Sequence, residues 1–149
     1  MEAFKFKLEG LLKLRKFKED NQKVILGKII KEINILNDEI TTLKADIGVG
    51  YKSQEDILKE NTDGKLLQFF PYFIQGKWEH IKDRENKILK LRSELSRRMK
   101  EMEKIMADVK VIESLKEKKE KDYKKEKNKK EFEKLDDILI RKGNKILKE

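Results

Sequence analysis

The sequence predicts an all-α fold, with two long helices in an antiparallel coiled-coil hairpin. Apolar residues recur at alternating steps of three and four over most of its 149 residues, which is the spacing with which one helix packs along another. Charged residues make up 45% of the chain, against about 25% in an ordinary soluble domain, so a thick core is not expected. The only proline, Pro71, lies near the middle of the chain. We therefore expect a single hairpin over residues 1–149, with the proline close to its turn.

The first arm is expected to be helical over about residues 3–60. Its seam follows steps of 3, 4, 3, 4, 3 and 4 and consists of Leu26, Ile29, Ile33, Leu36, Ile40, Leu43 and Ile47. Gly48 and Gly50 follow this seam, and a glycine inside a helix costs about 1 kcal/mol relative to alanine. The two glycines mark the place where this helix would bend or loosen, and an early end of the helix there is the alternative.

The connector is expected over about residues 61–70. It begins with Asn61, Thr62, Asp63 and Gly64, which are residues typical of turns. The residue before a proline disfavours the α conformation, which applies here to Phe70. Pro71 itself suits the first turn of a new helix.

The second helix is expected over about residues 71–147. Its seam consists of Ile88, Leu91, Leu95, Met102, Ile105, Val109 and Ile112, with Arg98 in one seam position. Met99, Met102 and Met106 have the spacing of this seam, so we expect them to fill the core. The same rhythm returns near the C-terminus at Phe132, Leu135, Leu139 and Ile146, with Lys142 between the last two.

A connector centred near residue 66 also predicts the register of the two helices. Residues that face each other should then have numbers that add to about 132. Ile33 is therefore expected near Met99, and Leu26 near Met106.

The residue types of the chain give little support for catalysis. The sequence has no cysteine and one histidine, His80, so a thiolate site, a catalytic triad and a histidine-rich metal site are not expected. No Walker lysine or nucleophile elbow occurs, and we expect no enzyme activity, cofactor or metal. The N-terminus lacks the apolar stretch of a signal peptide, and no run of about 18 apolar residues occurs. A cytoplasmic protein is the expectation.

The net charge of +9 lies mostly in the second half of the chain. Residues 116–131 hold nine lysines and five acidic residues. A basic surface raises nucleic acid, anionic lipid or an acidic protein as partners. Because the charges alternate in sign, a solvated helix is favoured over a phosphate-binding tail, and we expect no nucleic acid.

Aromatic and aliphatic residues are concentrated around the connector. They are Leu66, Leu67, Phe69, Phe70, Tyr72, Phe73, Ile74 and Trp78. The turn of a two-helix hairpin buries little, so part of this group is expected to be exposed, and exposed apolar patches of this kind usually bind a partner. The alternative is a local cap in which Phe70 and Trp78 pack on Tyr51 and Ile74.

Three stretches of the sequence resemble the FliJ family, the small coiled-coil proteins of the flagellar type III export apparatus. Residues 4–8 (FKFKL) and 11–15 (LLKLR) are similar to the family's opening of alternating aromatic and basic residues followed by Leu-x-x-Arg. Residues 111–123 (VIESLKEKKEKDY) are similar to its lysine-rich stretch and the tyrosine after it. Residues 131–138 (EFEKLDDI) are similar to its C-terminal Leu-Asp-Glu-hydrophobic signature.

The resemblance implies a non-enzymatic, stalk-like hairpin that binds the hexameric export ATPase and the cytoplasmic domain of the export gate and escorts export chaperones. It also implies a cytoplasmic protein held at the inner face of the cell membrane by these partners. By resemblance, the residues that bind the ATPase are Phe4, Leu8, Leu12, Arg15, Lys118, Lys119 and Tyr123. The residues available to the gate or another partner are Phe69, Phe70, Tyr72, Phe73 and Trp78.

Two other functions remain open from the sequence alone. One is a basic helical arm that binds nucleic acid, and the other is a generic structural coiled coil that dimerises in parallel. Proteins of virulence-type injectisomes share the hairpin architecture, and the N-terminal motif favours the flagellum.

Overall fold

The structure is a computed structural model that describes residues 2–60 and 64–148. Helix α1 spans Glu9–Lys59 and helix α2 spans Gly64–Lys148. The two helices pack against each other, and the described ranges contain no strand. The predicted all-α hairpin is therefore confirmed.

The chain divides into two compact units, and each contains a part of both helices. The terminal unit comprises residues 1–19 and 104–149, and the central unit comprises residues 20–103.

The core of the central unit is the predicted heptad seam. Its buried members are Ile29, Ile33, Ile40 and Ile47 from α1 and Ile74, Ile81 and Ile88 from α2. Leu36, Leu43, Leu91 and Leu95 are partly buried against them. The apolar spacing thus predicted correctly which face of α1 is buried.

The register within the central unit differs from the predicted one. Lys77 donates to Asp46 at 3.2 Å, and Arg84 donates to Glu39 at 3.0 Å. In both ion pairs the residue numbers add to 123, where about 132 was expected. Ile33 therefore lies opposite the region of residue 90, and its predicted pairing with Met99 is wrong.

The reason for the shift is an earlier start of α2. This helix begins at Gly64, whereas about residue 71 was predicted, and Pro71 lies inside it. A proline inside a helix costs about 3 kcal/mol. Phe70 and Ile74, one on each side of it, are both buried, and burying a large apolar side chain contributes roughly 1.5–3 kcal/mol. Their packing offsets the cost, so α2 continues through the proline. Residues 61–63 of the predicted connector lie outside the described residues.

The terminal unit has a small core of its own. Leu12 of α1 packs with Val109 and Ile112 of α2, and Phe6 and Ile105 are partly buried against them. α1 begins at Glu9, so the predicted helix start near residue 3 is wrong. Phe4 and Phe6 are half-buried while the lysines between and after them are exposed, and this alternation is typical of an extended segment.

The last part of α2 is helical, as predicted, but it has no partner in the described part of the chain. Every side chain from residue 124 to residue 146 is exposed. The C-terminal repeat of the seam spacing is therefore open to solvent at Phe132, Leu135, Leu139 and Ile146.

The two glycines near the end of α1 have different surroundings. α1 continues through both to Lys59, so the alternative of an early helix end is wrong. A Cβ atom at Gly50 would lie 3.2 Å from Cε1 of Phe73, while a Cβ at Gly48 would meet no atom within 4 Å. Gly50 therefore provides the space in which the Phe73 ring approaches α1.

We expect Gly48→Ala to stabilise the chain by about 0.5–1 kcal/mol, because alanine favours a helix more than glycine does. Gly50→Ala should stabilise the chain by less than this or should destabilise it, because the added methyl group meets the Phe73 ring. Urea denaturation followed by circular dichroism measures both changes. Equal gains from the two variants would show that the Phe73 ring does not need the space at Gly50.

Candidate functional site

The first candidate surface lies in the terminal unit, where residues 2–8 pack against α2. The ring of Phe4 lies 5.6 Å from the ring of Tyr123, with their planes tilted by 47°. The Tyr123 hydroxyl donates a hydrogen bond of 2.6 Å to the carbonyl oxygen of Glu2. Two motifs more than 100 residues apart in sequence thus form one surface, which we call the N-terminal surface (residues 2–9 and 115–123).

An ion pair holds the start of α1 against α2 at this surface. Nζ of Lys116 lies 2.9 Å from Oε2 of Glu9. The hydrogen bond from Lys116 lowers the pKa of the Glu9 carboxyl below its ordinary value, and the same bond raises the pKa of Lys116. Glu9 also lies in the first turn of α1, where a negative charge interacts favourably with the helix dipole.

The Glu9–Lys116 pair predicts a pH-dependent difference between the wild type and Glu9→Gln. Because the pKa of Glu9 is lowered by folding, its contribution is fully present above the ordinary carboxyl pKa and is lost as the pH falls through the folded value. Glu9→Gln should therefore melt at a lower temperature than the wild type at pH 7. The gap between the two proteins should narrow at pH 3, because the carboxyl is protonated more fully there than at pH 7.

Circular dichroism melts at both pH values measure this difference. Glu2→Gln is the matched control, since it removes a carboxylate from the same segment without touching this pair. A gap between Glu9→Gln and the wild type that persists unchanged at pH 3 would contradict the role of the carboxylate.

The residues that the resemblance assigned to ATPase binding differ in their exposure and in whether they line a common groove. Leu8, Lys118 and Lys119 are exposed, and Phe4 and Tyr123 are half-buried. One groove is lined by Phe4, Leu8, Lys119 and Tyr123. Lys118 does not line this groove.

Two of the assigned residues have surroundings that the sequence did not predict. Leu12 is 2% exposed, so its expected availability to a partner is wrong, because it fills the core between α1 and α2. Arg15 is half-buried, and its Nε is shielded from solvent without a hydrogen bond to any described residue.

The second candidate surface lies near the start of α2 in the central unit. The ring of Phe69 lies 5.7 Å from that of Phe70 and 5.8 Å from that of Phe73. Nζ of Lys77 lies 5.2 Å from the centre of the Phe73 ring and also pairs with Asp46. Phe70 and Phe73 thus pack as part of the hairpin, and Phe69 is exposed beside them.

The aromatic residues do not form one surface. Trp78 follows Phe69 by nine positions, which places the two on opposite sides of a helix at 3.6 residues per turn. Tyr72 is 78% exposed and Trp78 is 47% exposed, whereas Phe70 is 8% exposed. The expectation that Phe70 is an exposed anchor is wrong, because the early start of α2 brings it into the seam. The exposed aromatic residues (Phe69, Tyr72 and Trp78) are available to a partner.

Sequence reasoning missed several residues that shape these surfaces. Phe6, Glu9 and Lys116 build the N-terminal surface, and Gly50 admits Phe73. The alternation of Phe4, Lys5, Phe6 and Lys7 was the available signal for an extended segment. No local pattern pointed to the Glu9–Lys116 pair, because it depends on the register.

The described residues hold neither a membrane-spanning helix nor a cluster of metal-ligating side chains. Neither α1 nor α2 contains a stretch apolar enough, and long enough, to cross a membrane. Within residues 2–60 and 64–148, no group of three or more His, Asp and Glu side chains could hold a metal ion.

Comparison with known proteins places the chain in a family. The model of one family, described as "Flagellar FliJ protein", matches residues 4–145. No curated protein and no solved structure matches the chain. The match covers nearly the whole sequence and includes residues 4–9 and 115–123 of the N-terminal surface. The chain belongs to the FliJ family and is a coiled-coil protein associated with flagellar protein export.

Proposed function

We propose that this protein is a non-enzymatic stalk of the flagellar export apparatus that binds the hexameric export ATPase through its N-terminal surface. The observation that carries the proposal is the contact of Phe4 with Tyr123. These residues belong to two motifs by which the sequence resembles its family, and the fold joins the motifs into one exposed surface.

The exposed members of this surface are suited to a protein partner. Leu8 and Lys119 lie beside the half-buried rings of Phe4 and Tyr123, and hot spots of interfaces often combine aromatic anchors with surrounding polar groups. Lys118 and the half-buried Arg15 lie in the same unit but do not line the groove with Phe4 and Tyr123, so the proposal gives them no direct contact with the ATPase. Leu12 acts indirectly in this proposal, by holding α1 against α2.

The proposed surface for the cytoplasmic domain of the export gate consists of the exposed aromatic residues. Tyr72 and Phe69 project into solvent from neighbouring positions of α2, and Trp78 lies on another side of the helix. Phe73 supports Phe69 by ring stacking. The escort of export chaperones is part of the proposal on the strength of family membership, and so is a cytoplasmic location at the inner face of the cell membrane.

The function is tested by titrating two purified partners, the export ATPase and the gate's cytoplasmic domain, with two single variants. Leu8→Asp should weaken binding of the ATPase about tenfold or more, since it places a charge in an apolar contact worth about 1.4 kcal/mol or more. It should leave gate binding unchanged. Tyr72→Ala should weaken gate binding by a similar factor and leave ATPase binding unchanged.

Each variant serves as the control for the partner it is expected to spare. Leu14→Asp is a further control, since Leu14 is exposed in the terminal unit but lies outside the N-terminal surface. Loss of ATPase affinity with Tyr72→Ala and none with Leu8→Asp would overturn the assignment. Absence of any binding of the wild type to the ATPase would overturn the proposed function itself.

A further inference from the structure

A groove lies in the terminal unit between residues 4–8 and the stretch 115–123 of α2. Its volume is about 480 Å³. The apolar residues that line it are Phe4, Phe6, Leu8, Leu115 and Tyr123. Leu8 and Leu115 are each 37% exposed, so the groove offers apolar surface that the chain itself leaves uncovered.

The charged residues of the groove all carry the same sign. They are Lys5, Lys7 and Lys119, and among the described residues no carboxylate lines the groove. This is unusual for a chain in which acidic residues are interleaved with basic ones along most of α2. The arrangement follows from local structure, because the extended segment buries its phenylalanines against α2 and leaves its lysines at the edge.

We propose that this groove binds an acidic segment of the partner, in which an apolar side chain is flanked by carboxylates. The apolar side chain enters between Leu8 and Leu115, and the carboxylates meet Lys5, Lys7 and Lys119. The inference rests on the proposed function, and it assigns this acidic segment to the export ATPase.

The two kinds of contact have different roles. Exposed ion pairs contribute little affinity individually, so the apolar contact supplies most of the binding. Complementary charge mainly sets the association rate and the choice of partner. Binding should therefore weaken as salt is added, without being abolished.

The adjacent residues Lys118 and Lys119 provide a matched pair for the test. Both are exposed, and reversal of either changes the net charge equally, but Lys119 alone lines the groove. Lys119→Glu should weaken binding of the purified ATPase about tenfold, mainly through a slower association rate. Lys118→Glu should change it by less than about twofold.

A second probe separates the groove from the identity of the partner. It is a 12-residue synthetic peptide with one leucine between glutamates, compared with the same peptide carrying lysines in their place. Fluorescence anisotropy should detect tighter binding of the acidic peptide than of the basic one, and Lys119→Glu should weaken binding of the acidic peptide about tenfold.

The possible outcomes are distinct. Equal losses of ATPase binding from Lys118→Glu and Lys119→Glu would overturn the groove proposal in favour of a diffuse charge effect, while the proposed function would stand. Binding of the acidic peptide, sensitive to Lys119→Glu, without any binding of the ATPase would support the groove and overturn the proposed function. Equal binding of both peptides would overturn the proposal that the groove selects an acidic segment.

Discussion

Phe70→Ala should lower the free energy of unfolding by about 3 kcal/mol, near the lower end of the range for truncation of a buried aromatic side chain. Phe70 is 8% exposed and continues the seam of α2 one turn before Ile74. Its removal leaves a gap in the packing beside Pro71, where the helix already lacks a hydrogen bond. Urea denaturation followed by circular dichroism measures this loss.

Trp78→Ala is the matched comparison for Phe70→Ala. Trp78 is also a large aromatic residue of α2 in the central unit, but about half of it is exposed. We expect its truncation to cost the fold much less than that of Phe70. A larger loss of stability from Trp78→Ala than from Phe70→Ala would contradict the seam that the structure gives to α2.

Leu12→Ala should release residues 2–19 from α2. Leu12, Val109 and Ile112 are the buried residues of the core cluster in the terminal unit, and truncation of a buried leucine costs about 2–5 kcal/mol. A core of this size has few other contacts with which to hold the first turns of α1. Hydrogen exchange measured by mass spectrometry should show faster exchange in residues 9–19 and unchanged exchange in residues 29–47.

The neighbouring Leu11 provides the control for Leu12. Leu11 is exposed, so Leu11→Ala removes the same atoms without leaving a cavity, and exchange in residues 9–19 should stay close to that of the wild type. If Leu11→Ala loosened this segment as much as Leu12→Ala, the packing of the terminal unit would be wrong.

The apolar spacing of the sequence was enough to predict the two helices and the buried face of α1. Ile33, Ile40 and Ile47 are buried where the heptad pattern placed them. Such a pattern is local to one helix and depends only on the 3.6-residue period, so no knowledge of the partner helix was needed.

The register could not be predicted in the same way, because it depends on where the chain turns. Pro71 and the residue before it favoured a late start of α2. The packing of Phe70 and Ile74 on both sides of the proline reversed this local preference. A shift of the turn by a few residues then moved every pair of facing residues, including the predicted partner of Ile33.

The sequence predicted those residues of the candidate sites that belong to recognisable motifs. Phe4 and Tyr123 were named from two separate motifs, and the fold brings them together. Leu12 and Phe70 were named from the same kind of reasoning, yet they are buried. A motif identifies residue types at given spacings, and it does not say which of them the partner helix will cover.

The proposed function requires the N-terminal surface to contact the export ATPase. Photocrosslinking in cells tests it most directly, with a photoreactive phenylalanine analogue placed at Lys119 in one strain and at Tyr72 in another. Mass spectrometry of the products should identify the export ATPase from position 119 and the export gate from position 72. Crosslinks to the ATPase from position 72, with none from position 119, would contradict the account.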